Sequence, residues 1–74
     1  MSKSMWCDAV DSKPVKLPKT DAISVDAFFW VRGRQLPNTG YYDFVLELWI
    51  DLFSHAHFSP LQVEYFAYID NPYK

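Results

Sequence analysis

Residues 41–53, with the sequence YYDFVLELWIDLF, constrain the fold of this chain more than any other segment. Every even-numbered position from Tyr42 to Leu52 is apolar, whereas the odd-numbered positions alternate between acidic and large apolar side chains. Because successive side chains of a strand point to opposite faces, this period of two is typical of a strand with one buried and one half-covered face.

The same segment also permits a helical interpretation. Its three acids, Asp43, Glu47 and Asp51, are spaced by four and would form one stripe along a helix. Such a helix would be apolar on nearly all its other sides and would have to be buried. A chain of 74 residues has little material left to bury it. The pattern therefore favours a strand, and the helix stays the alternative.

Length and composition predict one small domain that cannot hide all its aromatic groups. A domain of this size buries only about 60% of the surface of its unfolded chain, and 19% of the 74 residues are aromatic. Some aromatic surface should therefore be exposed or covered by a second chain. The single cysteine excludes an internal disulfide and fits a reducing compartment, so we expect a cytoplasmic protein without a cofactor.

The chain is predicted to divide near residue 22. Residues 1–22 contain lysines and two prolines but few large apolar groups, which predicts a flexible or loosely docked segment. Its alternative is an edge strand in which Val15 and Leu17 face the core. Residues 23–74 are predicted to form a single β-rich domain. No segment reaches the roughly 20 apolar residues of a membrane helix, so a membrane is not an expected partner.

A hairpin between residues 24–34 and 41–53 is the main predicted element. In residues 24–34 one face is apolar, and the other is mixed; the apolar face consists of Val25, Ala27, Phe29 and Val31, and the mixed face of Asp26, Phe28, Trp30, Arg32 and Arg34. Residues 35–40 contain proline, asparagine and glycine, which favour turns. Opposite residues would sum to about 75 in number. This register predicts the contacts Phe29–Leu46, Val31–Phe44, Trp30–Val45 and Arg32–Asp43. The predicted fold is therefore mainly β, a small antiparallel sheet of three or four strands.

The last segment combines a helix-start signal with strand-forming residues. Ser59, Pro60 and Gln62 form a serine cap, a proline at the first helical position and a glutamine three residues after the cap. Residues 63–69 are rich in β-branched and aromatic side chains. We predict a further strand after one helical turn, and a short C-terminal helix over 61–69 stays the alternative.

Catalytic and metal-binding chemistry has little support in the sequence. His55 and His57 would point to one side of an extended segment, but a metal needs a third ligand, for which the candidates are Asp51, Glu64 and Cys7. The alternative for the two histidines is a solvated loop. The three acids of 41–53 would lie on an open strand face without the cleft that general acid–base catalysis needs. We therefore expect no enzymatic activity and no bound metal.

The outer face of the predicted hairpin is the candidate binding surface. It would combine aromatic anchors with a charged rim, which is typical of protein–protein interfaces. A competing interpretation is that Tyr65, Phe66 and Tyr68 cover this face as a second core. The sequence thus predicts a module that acts as a stoichiometric regulator, inhibitor or adaptor of a larger protein, or that self-associates. The predicted partner-binding residues are Phe28, Trp30, Arg32, Arg34, Asp43, Glu47, Trp49 and Asp51.

Single-stranded nucleic acid is the alternative partner. Phe28 and Trp30 beside Arg32 and Arg34 would form a stacking platform with a cationic border. The neighbouring strand would however place three acids on the same face, where they would repel phosphate. The sequence therefore favours a protein partner and leaves the nucleic acid as the second hypothesis.

Overall fold

The computed structural model describes residues 6–69, which form one antiparallel six-stranded sheet. The spatial order of the strands is β1-β6-β2-β3-β4-β5. One single-turn 3-10 helix, Pro60–Gln62, precedes the last strand, and residues 6–69 contain no α-helix. The strands are β1 (Cys7–Asp8), β2 (Ala27–Val31), β3 (Asn38–Asp43), β4 (Leu48–Asp51), β5 (His57–Phe58) and β6 (Val63–Tyr68).

The prediction of a mainly β fold built on an antiparallel sheet is confirmed, but the number of strands and the course of the central stretch differ. Residues 41–53 are neither one strand nor one helix. They supply the end of β3, a turn over residues 44–47, all of β4 and the start of a second turn. This turn divides the predicted strand into two, and the short edge strands β1 and β5, which were not predicted, bring the sheet to six strands.

Two aspartates explain why the central stretch bends twice. Oδ1 of Asp43 accepts hydrogen bonds from the N–H groups of Val45 and Leu46, both at 2.9 Å. Oδ1 of Asp51 accepts in the same way from Phe53 and Ser54, at 2.8 and 2.9 Å. Aspartate stabilises turns because its short carboxylate reaches the backbone two and three residues further on.

The two turns also close alike. The N–H of Glu47 donates to the carbonyl of Asp43 at 2.7 Å, and the N–H of His55 donates to the carbonyl of Asp51 at 2.9 Å. The closing residues have φ angles of 58° and 62°, in the left-handed region. The spacing of eight between the two aspartates is therefore the length of one turn plus one strand rather than two turns of a helix.

The register of the predicted hairpin is wrong. Strand β2 pairs with β3 through Ala27↔Gly40 and Phe28↔Thr39, so opposite residues sum to 67 rather than 75. The predicted contacts Phe29–Leu46, Val31–Phe44, Trp30–Val45 and Arg32–Asp43 do not form across this pair of strands. They fail because residues 44–47 form a turn, which takes Phe44, Val45 and Leu46 out of the sheet.

Trp49 lies at the centre of the core and is completely buried. The rings of Phe29 and Tyr42 each lie 5.2 Å from it, and the ring of Phe66 lies 5.9 Å away. The sheet curves around this tryptophan, since Phe29 on β2 also contacts Phe58 on β5 at 5.9 Å between ring centroids. Three strand spacings would separate these two residues by about 14 Å in a flat sheet.

The segment before β2 packs over the core face of the sheet. Ala9 and Pro14 are buried, and the hydroxyl of Tyr68 accepts a hydrogen bond of 3.2 Å from the N–H of Val15. Ser24 is buried as well, and its backbone N–H donates to the carbonyl of Tyr42 at 2.9 Å. We call residues 9–25 the covering segment. The division at residue 22 stays a prediction, and parts of both its segments lie outside the described residues.

The C-terminal prediction of one helical turn followed by a strand is confirmed. The side chain of Ser59 accepts from the N–H of Leu61 at 3.1 Å, and that of Gln62 accepts from the N–H of Ser59 at 2.8 Å. This capping box holds the 3-10 turn, after which β6 pairs with both β1 and β2. This turn is the only helical element within residues 6–69, and it is far too short to cross a membrane.

Candidate partner-binding surface

The second face of the sheet carries large side chains that the covering segment does not reach. Phe29 on β2 and Phe66 on β6 pair with each other and face the core. The residues next to them in each strand therefore point to the other side of the sheet. We call this side the open face. By the pairings, the described strand residues on this side are Asp8, Phe28, Trp30, Thr39, Tyr41, Asp43, Leu48, Ile50, His57, Tyr65 and Ala67.

Aromatic side chains dominate the middle of the open face. Phe28 pairs with the small residue Ala67, and Trp30 pairs with Tyr65. Phe28 remains 37% exposed and Tyr65 48% exposed. The ring of Trp6 stands edge-on to Trp30, with 5.7 Å between centroids and an interplanar angle of 85°. Phe28, Trp30 and Tyr65 thus lie on one side of two adjacent strands, and Trp6, directly before β1, contacts Trp30.

The two predicted arginines do not border this surface in the same way. Arg32 directly follows β2, and its Nε lies 3.3 Å from Oε2 of Glu64 on β6. Both side chains are largely exposed. An exposed pair of this kind contributes little stability. The guanidinium of Arg34 lies 5.5 Å from the ring of Phe58, which belongs to the core face. Only Arg32 therefore lies near the open face.

Asp43 and Glu47 lie at the opposite end of the sheet from the arginines. The Asp43 carboxylate is used by the turn after β3, and Glu47 is exposed in the left-handed position that closes this turn. They frame an apolar tip, because Val45 and Leu46 between them are strongly exposed. The turn after β3 therefore exposes two apolar side chains, those of Val45 and Leu46, between two acidic residues.

The predicted placement of Trp49 and Asp51 on the outer face is wrong. Trp49 is 0% exposed and forms the centre of the core, and Asp51 is 5% exposed beneath its own turn. The reason is the turn over residues 44–47, after which odd-numbered residues face the core instead of even-numbered ones. Of the eight predicted residues, the structure brings Phe28, Trp30 and Arg32 together on or beside the open face, and Asp43 lies on the same face at its far end, opposite Leu48. The roles of the exposed residues stay predictions.

Asp51 instead has a structural role, because it links the start of β3 to the turn after β4. Besides its two turn hydrogen bonds, its Oδ2 accepts from Nδ2 of Asn38 at 2.7 Å. Burial by itself raises the pKa of Asp51, but the hydrogen bonds from Ser54, Asn38 and Phe53 outweigh it and hold the pKa below its ordinary value. A lowered pKa means that the ionised carboxylate stabilises the folded protein.

We expect the stability contributed by Asp51 to disappear in acid. Its folded-state pKa lies below the unfolded value of about 3.9, so its contribution is complete at neutral pH and is lost as pH falls through the folded pKa. Asp51→Asn keeps the shape and removes the charge, and should cost about 1–3 kcal/mol at pH 7. Urea unfolding of both proteins between pH 7 and pH 2 should show this difference shrinking below about pH 4. A pH-independent difference would contradict the assignment.

The lysines of the described residues and the acids of the strands lie on different parts of the molecule. The described strands contain the acids Asp8, Asp43, Asp51 and Glu64 and neither lysine nor arginine. The lysines of the described residues sit on the covering segment, where Nζ of Lys13 lies 5.4 Å from the ring of Tyr42 and Nζ of Lys16 lies 5.0 Å from the ring of Phe44. Both rings belong to the core side. Lys13 and Lys16 thus lie on the side away from the open face, whereas Arg32 lies near it.

Metal-binding groups do not converge within residues 6–69. No three histidine, cysteine, aspartate or glutamate side chains of this range form a group that could hold a metal ion. His57 lies on β5 opposite Ile50, whereas His55 closes the preceding turn. Cys7 is half-buried on the core side of β1 and pairs with Phe66.

Sequence reasoning missed Tyr65 and Trp6 as members of the open face. The alternation in residues 63–69 places Val63 and Tyr65 on one side, but an irregularity in the β2–β6 pairing opposite Trp30 and Val31 separates them. Val63 therefore faces the core and Tyr65 the open face. The signal that could have identified Trp6 is its size, because a tryptophan is unusual in a segment otherwise poor in large apolar residues.

Comparison of the chain with protein-family models, with curated proteins and with solved structures finds no match. Its function has to be inferred from the chemistry of the surfaces described above.

Proposed function

We propose that this protein is a non-enzymatic interaction module that binds a larger protein through the open face. It would act as a stoichiometric regulator, inhibitor or adaptor. The observation that carries the proposal is the exposure of Phe28 and Tyr65, at 37% and 48%, on adjacent strands of a sheet whose other face holds the buried core. Exposed aromatic groups that lie together on a small domain mark interaction sites.

The anchors of this face are well suited to a protein partner. Phe28, Trp30 and Tyr65 sit on hydrogen-bonded strands, and the ring of Trp6 fixes one side of Trp30. Because these side chains have few rotatable bonds and are already held, little conformational entropy is lost when a partner covers them. Buried aromatic groups of this kind contribute most of the binding energy in many interfaces.

Charge indicates which protein surface would fit. Asp8 and Asp43 lie on the strands that flank the aromatic groups, and no basic residue of the described strands compensates them. A partner surface with an apolar centre and lysines or arginines at its border would be complementary. The second hypothesis, single-stranded nucleic acid on the same aromatic groups, is disfavoured because phosphates would meet these carboxylates, while the lysines between residues 6 and 69 lie on the covering segment.

The test removes the aromatic anchors without disturbing the core. Phe28→Thr with Tyr65→Thr keeps strand-forming side chains on the sheet. The control is Val45→Ser with Leu46→Ser, which removes two apolar groups that are even more exposed, at the turn after β3. We expect both variants to fold, as judged by circular dichroism and urea unfolding. A partner should be identified by affinity capture from the source cells and its binding to the purified variants measured by calorimetry.

We expect saturation at a fixed stoichiometry for the wild type and the control, and at least about a tenfold loss of affinity for the open-face variant. Equal affinity of all three proteins would overturn the proposed site. A labelled single-stranded oligonucleotide is titrated in parallel at rising salt. Binding that requires Phe28 and Tyr65 and weakens steeply with salt would replace the protein partner by nucleic acid.

A further inference from the structure

The strands that carry the exposed aromatic groups of the open face lie inside the sheet. Phe28 has paired neighbours on both β3 and β6, and Tyr65 has paired neighbours on both β1 and β2. The edge strands β1 and β5 have only two residues each, and the carbonyl of Asp8 on β1 already accepts from the N–H of Ser12 at 3.2 Å. A partner that adds a strand needs a longer free edge than these. Recognition at the open face therefore has to use side chains rather than the main chain.

The exposed apolar groups of the open face lie in one narrow strip on β6 and β2. Within the six strands, Phe28 and Tyr65 are the most exposed large apolar side chains, and Ile69 directly after β6 is 42% exposed. Ile69 lies on the open side because Tyr68 before it packs against the core. Further along the same face, Ile50 on β4 is only 8% exposed. We call Phe28, Tyr65 and Ile69 the apolar strip.

The dimensions of the apolar strip match one helix. Tyr65 and Ile69 are four residues apart on an extended chain, which separates them by up to about 13 Å. Phe28 lies between them on the adjacent strand, opposite Ala67 and about 4.8 Å away. Apolar residues at positions i, i+4 and i+7 of a helix form one stripe of about 11 Å along its axis. A second sheet would instead cover several neighbouring strands, most of which offer no exposed apolar group here.

Uncompensated acids border the apolar strip. Asp8 lies beside it on β1, and Asp26 lies two residues before Phe28, on the same side by alternation. Both are exposed. The one ion pair within residues 6–69 joins Arg32 to Glu64, so these two residues add no net charge. Basic groups of a partner would be attracted to this border, whereas a second copy of the same face would place acid against acid.

We propose that the open face binds an amphipathic α-helix of the partner protein, with lysine or arginine on both sides of its apolar stripe. The stripe would cover Phe28, Tyr65 and Ile69, and the basic side chains would reach Asp8 and Asp26. Helices with one apolar face are bound in this way by apolar surfaces of other proteins. This mode of binding rests on the proposed function and specifies which element of the larger protein is recognised.

Three synthetic peptides of about 18 residues, the length of five helical turns, are the probes. The first has a leucine stripe bordered by lysines, and the second has the same stripe bordered by glutamates. The third is the first peptide with two central residues replaced by proline, which prevents a continuous helix. Fluorescence anisotropy of the labelled peptides measures their binding to the full chain at about 0.15 M salt. Circular dichroism measures the helix that forms.

Three variants of the protein separate the contributions of the strip and its border. Phe28→Thr with Tyr65→Thr removes the aromatic part of the apolar strip. Val45→Ser with Leu46→Ser is the control, because it removes exposed apolar groups at the turn after β3. Asp26→Lys reverses one exposed charge at the border.

We expect the wild type and the control to bind the lysine-bordered peptide at least about tenfold more tightly than the other two peptides. The variant without Phe28 and Tyr65 should bind it at least about tenfold more weakly than the wild type. Asp26→Lys should weaken it by about two- to fivefold, the effect of one exposed charge pair. Circular dichroism should show helix formation by the lysine-bordered peptide on binding.

Equal binding of the proline peptide or of the glutamate-bordered peptide would overturn the helix assignment, as would no binding of the lysine-bordered peptide. Dimerisation of the wild type that depends on Phe28 and Tyr65 would assign the open face to a second copy of the chain. A captured partner whose binding depends on these two residues, together with no binding of the lysine-bordered peptide, would refute the helix alone and leave the proposed function intact.

Discussion

Replacing Trp49 with alanine is expected to cost about 3–5 kcal/mol of the free energy of unfolding. Its indole is completely buried and contacts aromatic rings from β2, β3 and β6. Removal of the indole leaves a cavity at the centre of the core, between these rings. Domains of this size have only a few kcal/mol of net stability, so the variant should be largely unfolded at room temperature. Urea unfolding followed by circular dichroism measures the loss.

Trp30→Ala is the matched control, because Trp30 is the same residue type on the open face. It is half-buried and contacts Trp6, so its removal should cost clearly less than that of Trp49. If the two substitutions destabilise the protein equally, or if that of Trp30 costs more, the assignment of the core and open faces is incorrect.

Gly40→Ala is expected to cost about 3–4 kcal/mol, an unusually large effect for one methyl group. Gly40 pairs with Ala27 on one side and with Asp51 on the other. A Cβ atom there would overlap the carbonyl oxygen of Ile50 and lie 2.9 Å from the ring of Phe29. The carbonyl belongs to β4 and cannot move away without disturbing the β3–β4 pairing. Thermal or urea unfolding of the purified variant measures the effect.

Gly33→Ala supplies the comparison for the second glycine. Gly33 has a φ angle of 83° but open space around its Cα, so alanine would meet only the backbone preference. That preference costs about 1–2 kcal/mol. We therefore expect Gly40→Ala to destabilise the protein more than Gly33→Ala. The reverse order would mean that β3 and β4 do not approach each other as closely as described.

The sequence was informative where one pattern dominated. In residues 27–31 the alternation of apolar groups correctly assigns Ala27, Phe29 and Val31 to the buried side. The serine, proline and glutamine of residues 59–62 correctly mark one helical turn, since each has a separate capping function. These segments are short and their local chemistry agrees with their tertiary environment.

The prediction of one strand over residues 41–53 was wrong because the first turn in this segment is apolar. Residues 44–47 contain no glycine, proline or asparagine, and only Asp43 before them signals a turn. That signal was hidden because Phe44, Val45 and Leu46 continue the apolar run. Asp51 gives the same signal eight residues later, so the repetition of an aspartate before each turn was the available cue.

One missed turn was enough to misplace part of the candidate site. Because Tyr42 pairs with Trp49, the buried positions change from even to odd numbers between β3 and β4. Asp43 keeps its predicted side, whereas Trp49 moves to the core and Ile50 to the open face. Alternation within a strand is a local property, but the side that faces the core depends on turn length, which long-range pairing determines.

The separation of the two faces can be measured directly by nuclear magnetic resonance with a soluble paramagnetic agent. Phe28 and Phe29 are neighbours in sequence, as are Tyr65 and Phe66, but their exposed fractions differ widely: 37% and 0% for the first pair, 48% and 1% for the second. We expect the agent to broaden the ring signals of Phe28 and Tyr65 and to leave those of Phe29 and Phe66 sharp. Equal broadening within either pair would contradict a sheet with one covered and one open face.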